Sequence, residues 1–429
     1  MILIKNGYVI DPLSKLNKNM DILIDNENVI KVDKNIDEEN VDKVIDASSC
    51  IVAPGFIDIH SHFRDPGFTY KEDIFTGANA GARGGYTTVI CMANTKPVVD
   101  NVETLNYILN KAKMARIEVL QVASITKGMA GKEIVDMKKL KEAGAVGFSD
   151  DGKPIISSKT AVEAMNMARE LDVVLSFHEE DPELISENGI NSGKIADALD
   201  IKGSPKEAEN VLVARDAALA ISTKAKIDIQ HISSGLSVEL VRWAKRMGAN
   251  ITAEATPHHF SITEEEVLKK GASAKVNPPL RMESDRKAII EALKDNTIEI
   301  IATDHAPHSR EEKEGKISKA PSGMIGLETA LSLAISKLVK PGYLSYMDVI
   351  EKFTVNPAKL YRLDRGYIKE GHRADIVIFN PEEEYVVSNF YSKSCNSPFI
   401  GEKLYGKVKR TIYKGTIVYK DEKTGCFNY

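Results

Sequence analysis

This chain is predicted to be an α/β protein: a (β/α)8 TIM barrel in the middle, with a small β domain assembled from both termini. Three observations carry that expectation. Eight short β-forming runs alternate with helix-spaced segments between residues 54 and 364. Both ends, 1–53 and 365–429, alternate in β fashion only. Eight of the nine histidines sit just after β-forming runs, and parallel strands deliver their C-terminal ends to one rim.

The first fifty residues read as short strands at 2–4, 21–24, 29–32 and 43–45. Asn6-Gly7 and Asp25-Asn26-Glu27-Asn28 supply turn chemistry between them. The middle then offers strands at 55–59, 87–92, 118–123, 145–149, 173–177, 227–230, 250–254 and 298–302. Val102, Leu105, Ile108, Leu109 and Ala112 follow helical spacing in one of the intervening segments. Ser204-Pro205-Lys206-Glu207 has the form of an N-cap, a proline at the first helical position and a capping-box glutamate. No G-x-G-x-x-G loop follows any strand, so a barrel is favoured over an open dinucleotide-binding sheet. The tail returns to strands at 374–379, 384–387, 407–413 and 416–419, with Lys414-Gly415 as a hairpin turn.

Composition narrows the function. Lys+Arg 57 against Asp+Glu 62 gives a net charge of −5 with the signs interspersed, which gives nucleic-acid binding no electrostatic support. Met1-Ile2-Leu3-Ile4-Lys5 reads as a first strand and not as a signal peptide. No apolar run approaches the roughly 20 residues that cross a bilayer. Cys50, Cys91, Cys395 and Cys426 are scattered without a CxxC pattern and read as cytosolic thiols. A cytoplasmic enzyme acting on a small molecule, without membrane or nucleic-acid partners, is the expectation.

The chemistry gathers at strand ends. In Asp58-Ile59-His60-Ser61-His62 the two histidines are two apart, so their side chains share one side of a strand and can reach one metal ion. Hydrogen-bonded core histidines are the bland alternative. Lone histidines at two further strand ends, His178 and His231, favour the metal. Asp304 ends the eighth strand in Ala302-Thr303-Asp304-His305-Ala306-Pro307-His308. It can bind metal and act as a general base, or merely cap the next segment. Asp150 and Asp151 in Phe148-Ser149-Asp150-Asp151-Gly152 point in opposite directions if the strand persists. One can bridge two metals; an Asp-Gly turn is the alternative.

Together these residues resemble the amidohydrolase superfamily of binuclear metal enzymes, over nearly the whole chain. The closer similarity is to its dihydroorotase family, of the long bacterial and archaeal type. It rests on His60-Ser61-His62-Phe63-Arg64-Asp65-Pro66-Gly67, Met92-Ala93-Asn94-Thr95, Phe148 to Gly152, Asn277-Pro278-Pro279-Leu280-Arg281 and Thr303 to His308. The resemblance implies that the terminal β domain is a split β-sandwich. It implies two zinc ions: one held by His60, His62 and Asp304, the other by His178 and His231. Many relatives bridge the ions with a carboxylated lysine; this chain has Asp151 in that motif, as some dihydroorotases do. It further implies that Arg64, Asn94 and His308 hold a substrate carboxylate, with His62 beside them, and that Asn277 and the Ser322-Gly323 backbone contact the ring amide. Read alone, Arg64, Asn94 and His308 could equally be a rim salt bridge, a turn asparagine and a solvated histidine.

The implied reaction is the reversible cyclisation of N-carbamoyl-L-aspartate to L-dihydroorotate and water in de novo pyrimidine (UMP) biosynthesis, with Asp304 as general acid and base. An allantoinase, hydantoinase or dihydropyrimidinase is the first rival, and a non-catalytic scaffold relative the second. Arg64 and Asn94 speak against the first, because hydantoin and uracil-type rings carry no carboxylate. The resemblance leaves open a homo-oligomer and association with aspartate carbamoyltransferase. Arg310 to Ser318 reads as a polar loop at the rim, either a closing lid or an ordinary solvated loop. Trp243 reads as helix packing.

Overall fold

The structure, a computed structural model, describes residues 1–421. Cys426 and the end of the 365–429 segment lie outside the described residues. Five strands open the chain: β1 (Ile2–Asp11), β2 (Leu16–Asp25), β3 (Asn28–Asp33), β4 (Lys43–Asp46) and β5 (Ile51–Pro54). Eight follow: β6 (Phe56–Ser61), β7 (Tyr86–Cys91), β8 (Glu118–Gln121), β9 (Phe148–Ser149), β10 (Leu175–Phe177), β11 (Ile227–Ile229), β12 (Ile251–Ala255) and β13 (Ile300–Ile301). Three close it: β14 (Ile376–Val386), β15 (Lys403–Tyr413) and β16 (Thr416–Lys420).

The first and last groups form one eight-stranded sheet in the order β16-β15-β14-β5-β1-β2-β3, with β4 on β1. Strands from the two ends meet at β5 and β14, which pair antiparallel from Ile376–Pro54 to Phe379–Ile51. Their apolar faces share a core that includes Ile4, Val9, Ile22, Val52, Ile376 and Ile412. Here the structure corrects two local readings. Asn6-Gly7 is no turn: β1 runs through it with a register shift, and Asn6 adopts φ 61°. Asp21 Oδ1 accepts from the Asn6 N–H at 3.0 Å, so a side chain satisfies the group that the bulge leaves unpaired. The predicted tail strands 374–379 and 384–387 are one strand, β14, kinked between Asn380 and Glu384. The apolar run from Ile51 to Ile59 belongs to two sheets, split at Gly55. A Cβ at Gly55 would lie 2.3 Å from the Thr87 side chain, so only glycine lets β5 pass into β6 there.

The central strands pair in parallel as β6-β7-β8 and β9-β10-β11-β12-β13. Two single bridges, Ala123 to Phe148 and Ser61 to His305, join these sheets at both edges. The His62 N–H donates to His305 O at 2.9 Å across the second seam. Eight parallel strands thus make a ring. Helices Ile74–Gly84, Val102–Ala112, Met137–Glu142, Ser158–Leu171, Lys206–Thr223, Gly235–Arg246 and Glu283–Lys294 follow the first seven in turn. Asp73 caps the first of these with a capping box, and Asn101 caps the second.

Two helix expectations change. The Lys206–Thr223 helix takes Pro205 as its N-cap and has no side-chain cap. Ser204 spends its hydroxyl on Glu180 Oε1 at 3.2 Å, a buried acceptor that outcompetes the helix end. Trp243 is 38% exposed on the Gly235–Arg246 helix, so it is a surface residue more than a packing one. Beneath the ring, Phe56 packs against Tyr86, Phe353 and Phe379 with ring centroids 5.8, 5.2 and 6.4 Å apart. Phe379 belongs to β14, so this aromatic cluster ties the terminal sheet to the ring. Truncating Phe56, fully buried, should cost about 3–5 kcal/mol.

Candidate metal centre and substrate cavity

The strand ends bring the predicted residues to one place. His60 lies on β6 and His62 just past it; Asn94 follows β7, Asp151 follows β9, His178 follows β10, His231 follows β11 and Asp304 follows β13. Arg64, His231 and Asp304 adopt φ of 61°, 33° and 45°. Non-glycine residues pay roughly 1–3 kcal/mol each for such conformations, and they persist where the surroundings over-determine them. The turns after the strands aim these side chains inward at that cost.

Two groups of ligand atoms form, His60-His62-Asp151 and Asp151-His178-His231, each within 4.8 Å. Asp151 is common to both. Its Oδ1 lies 3.4 Å from His60 Nε2 and 3.5 Å from His178 Nδ1 and His231 Nε2; its Oδ2 lies 3.3 Å from His62 Nε2. Asp304 Oδ1 lies 3.0 Å from His62 Nε2 and 3.7 Å from His60 Nε2. Asp150 points away, accepting from the backbone of Ile125 and Thr126 at 2.7 and 3.1 Å. The two aspartates do diverge, and Asp150 holds a loop.

The donor set fits a metal. His60 Nε2 is buried with no hydrogen-bond partner, although Nδ1 of the same ring lies 2.9 Å from Glu254 Oε2. A carboxylate on one ring nitrogen fixes the tautomer and leaves the other as a lone pair for an ion. Asn94 Oδ1, 2.9 Å from His62 Nδ1, does the same for His62, and Glu180 Oε2, 3.2 Å from His178 Nε2, for His178. Charge points the same way. Burial works against charge on His60, yet Glu254 and Asp151 hold its pKa well above the ordinary imidazole value. His178 is likewise opposed by burial but pushed up to about 10 by Asp151 and Glu180. Burial would raise Asp151, but the imidazoles of His60, His178 and His231 bring it well below the usual carboxylate range. The cluster needs positive charge, which protons or a divalent cation can supply.

A cavity of about 170 Å³ opens over this cluster. His62, Arg64, Asn94, Asp151, His178, His231, Asn277, Asp304, His308, Ser322 and Gly323 all line it. Larger hollows of about 300 and 470 Å³ lie elsewhere and hold no histidine. Arg64 is anchored by Nε to Pro307 O at 3.2 Å. Asn277 Oδ1 and Ser322 Oγ are buried without hydrogen-bond partners, and both residues line the cavity. The Gly323 N–H is already given to Lys275 O at 2.9 Å, so it has no free donor for a ring amide. Its φ is 130°, and a Cβ there would stand 2.7 Å from Ala306 Cβ and 3.1 Å from His308 Nε2.

Several supporting residues carry no sequence signal. Glu254 lies within a strand, Gln230 reaches His60 Nδ1 at 3.3 Å, and Asn396 ties the far tail to the rim. Asn396 Oδ1 accepts from the His308 N–H at 3.1 Å, and its Nδ2 donates to Ala306 O and Gly323 O. His305 is no ligand: its Nδ1 accepts from Gly326 N–H at 3.2 Å and its Nε2 lies 3.4 Å from Glu72. His258 and His259 are buried in the Pro257–Ser261 helix, where His259 contacts Thr256 and Pro278 O. The 310–318 segment is only partly loop: Arg310–Lys313 is a helical turn capped by Ser309.

With this geometry in view, comparison with known proteins decides the family. The Dihydro-orotase-like family pattern matches residues 49–237. The chain is 68% identical to the dihydroorotase of Clostridium acetobutylicum, over 98% of this chain and 100% of that protein. The chain belongs to the dihydroorotase family. The family member from Clostridioides difficile is 60% identical, over 98% of this chain and 100% of that one. In fold, the chain is similar to an L-hydantoinase from Arthrobacter aurescens, with a TM-score of 0.87 at 23% identity, over 99% and 97% of the two chains. A dihydropyrimidinase from Brevibacillus agri gives a TM-score of 0.85 at 23% identity, over 97% and 95%. These two likenesses concern the fold alone.

Proposed function

We propose that this chain is a dihydroorotase that interconverts N-carbamoyl-L-aspartate with L-dihydroorotate and water, the ring-closing step of de novo pyrimidine (UMP) biosynthesis. The observation that carries the reading is Arg64, a half-buried guanidinium lining the same small cavity as the paired histidine and aspartate cluster. A guanidinium pairs bidentately with a carboxylate, and dihydroorotate has one where hydantoin and dihydrouracil have none.

His60, His62 and Asp304 would hold one zinc ion and His178 and His231 a second, with Asp151 between them. Zinc there would polarise the amide carbonyl and lower the pKa of a nearby water. Everything else falls to the chain's own side chains. Arg64, Asn94 Nδ2 and His308 hold the substrate carboxylate, and Asn277 Oδ1 and Ser322 Oγ accept from the ring N–H groups. In hydrolysis Asp304 takes the proton of the attacking water and delivers it to the leaving ring nitrogen. In closure the protonated Asp304 assists loss of water and the nitrogen gives its proton back. Residues 1–53 and 365–429 would form the terminal β domain and 54–364 the catalytic barrel. A cytoplasmic setting, a homo-oligomer and contact with aspartate carbamoyltransferase are compatible with this chemistry. Among the described residues no helix is long and apolar enough to cross a membrane.

The test is turnover of L-dihydroorotate against allantoin and dihydrouracil. The reading expects dihydroorotate to be strongly preferred; equal or better turnover of either neutral ring would overturn it.

A further inference from the structure

We propose that Lys71 is a positioning residue for substrate binding: its ammonium fixes His308 as a neutral imidazole whose Nε2–H, held by Ser322 O in the free protein, is shared with the substrate carboxylate. The inference deepens the reading above and rests on His308 being one of the groups that hold that carboxylate.

Lys71 stands seven residues past Arg64, in the loop that leaves β6. Its backbone is held on both sides: its N–H donates to Phe68 O at 3.0 Å, and its carbonyl accepts from Ser394 Oγ at 2.7 Å. Its side chain is 11% exposed. The ammonium lies 3.2 Å from His308 Nδ1 and 2.7 Å from Glu312 Oε1. An ammonium has three donors and no lone pair. His308 Nδ1 must therefore accept. The hydrogen of the neutral ring then sits on Nε2, which donates to Ser322 O at 2.9 Å on the cavity wall.

The charged groups facing the ring are Arg64, Lys71 and Lys313, with Glu312 Oε2 at 3.4 Å from Nδ1. Arg64 and Lys71 oppose one carboxylate, joined by Lys313 below about pH 7, because burial and neighbouring cations push its pKa down to about 7. Burial, and then Arg64, Lys71 and Lys313, hold the His308 pKa down at about 2, so the ring stays neutral across the working range. Lys71 thus does two things to its neighbour: it claims the Nδ1 lone pair, and it occupies Glu312. Without Lys71, Glu312 becomes the charged neighbour of Nδ1 and draws the hydrogen there. Nε2 would then turn a lone pair toward Ser322 O and toward an incoming carboxylate, which repels. Loss of Lys71 should therefore weaken substrate binding.

The test uses the full-length, zinc-loaded protein labelled with 15N-histidine, with the His308 signal assigned by its loss in His308→Gln. The native protein should show His308 as the Nε2–H tautomer. Lys71→Met should show Nδ1–H, and its KM for L-dihydroorotate should rise about tenfold at neutral to alkaline pH, the loss of one charge-assisted hydrogen bond. Meanwhile kcat should stay within about threefold. Lys71→Arg, also donor-only, should keep the tautomer and most of the affinity. Lys71→Met combined with Glu312→Gln should regain Nε2–H, because no carboxylate then competes for the hydrogen. The proposal is overturned if Lys71→Met keeps Nε2–H, if its KM is unchanged, or if Lys71→Arg is as impaired as Lys71→Met. If the native protein turns over no dihydroorotate, the functional reading fails instead, and the tautomer measurement still decides the role of Lys71.

Discussion

His62 Nε2 lies 3.0 Å from Asp304 Oδ1, although the two residues are 242 apart in the chain. The seam of the ring sets this distance, since the His62 N–H donates to His305 O and Thr303 N–H donates to Asp58 Oδ1 at 2.8 Å. Asp304 is thus fixed beside the histidine pair by backbone bonds that do not depend on its own carboxylate. Asp304→Asn should therefore keep the fold and lose about 10²–10⁴-fold in kcat, because an amide cannot carry the proton. Melting temperature and single-turnover rates on metal-loaded protein would check this; near-native turnover would remove Asp304 from the proton path.

Arg64→Met should lower kcat/KM for L-dihydroorotate by about 10²-fold, the cost of losing a half-buried charge-assisted pair. Metal content should be unchanged, because Arg64 donates to Pro307 O and none of the candidate ligands is among its hydrogen-bond partners. Steady-state kinetics with elemental analysis on the same sample separates the two effects. Loss of metal with unaltered KM would assign Arg64 to the fold.

Asp151→Ala should empty the His178-His231 position before the one served by His60, His62 and Asp304. The first would keep two imidazoles, the second two imidazoles and a carboxylate. Metal per chain, followed during stepwise chelation, reads this directly. Unchanged stoichiometry would mean that Asp151 bridges nothing.

The two directions should respond oppositely to pH. N-carbamoyl-L-aspartate has two carboxylates and dihydroorotate one, so closure consumes a proton and hydrolysis releases one. Burial would raise Asp304, but the His62 hydrogen bond and the charges of His60, His62 and His231 bring it below the usual carboxylate range. It is therefore ionised at weakly acidic pH and above, ready to accept in hydrolysis and seldom protonated for closure. Hydrolysis should rise with pH toward a plateau and closure should fall, each with an apparent pKa belonging to the coupled cluster. Profiles of kcat/KM in both directions decide it; two profiles rising together would exclude a shared proton carrier.

The site was legible where one local pattern met one rule of the fold. His60-x-His62, His178, His231 and Asp304 each follow a β-forming run, and parallel strands end together. Their roles came from the resemblance to a family, not from spacing. What escaped was whatever depends on pairing across the ring. Glu254 behind His60, Gln230 beneath it and Asn396 from the tail have no local signature, because each acts on a residue at least 88 positions away. Ser204 and Asn6-Gly7 failed for the opposite reason. Their local signals were sound, but Glu180 and Asp21 offered stronger partners than the predicted cap and turn.

The central claim is that Asp151 sits between two metal positions in an enzyme acting on dihydroorotate. Metal per chain, determined by elemental analysis on protein with demonstrated dihydroorotate turnover, tests it most directly. The account predicts two zinc ions per chain, with activity lost on chelation and restored by zinc. Full turnover with one metal ion or none would contradict it.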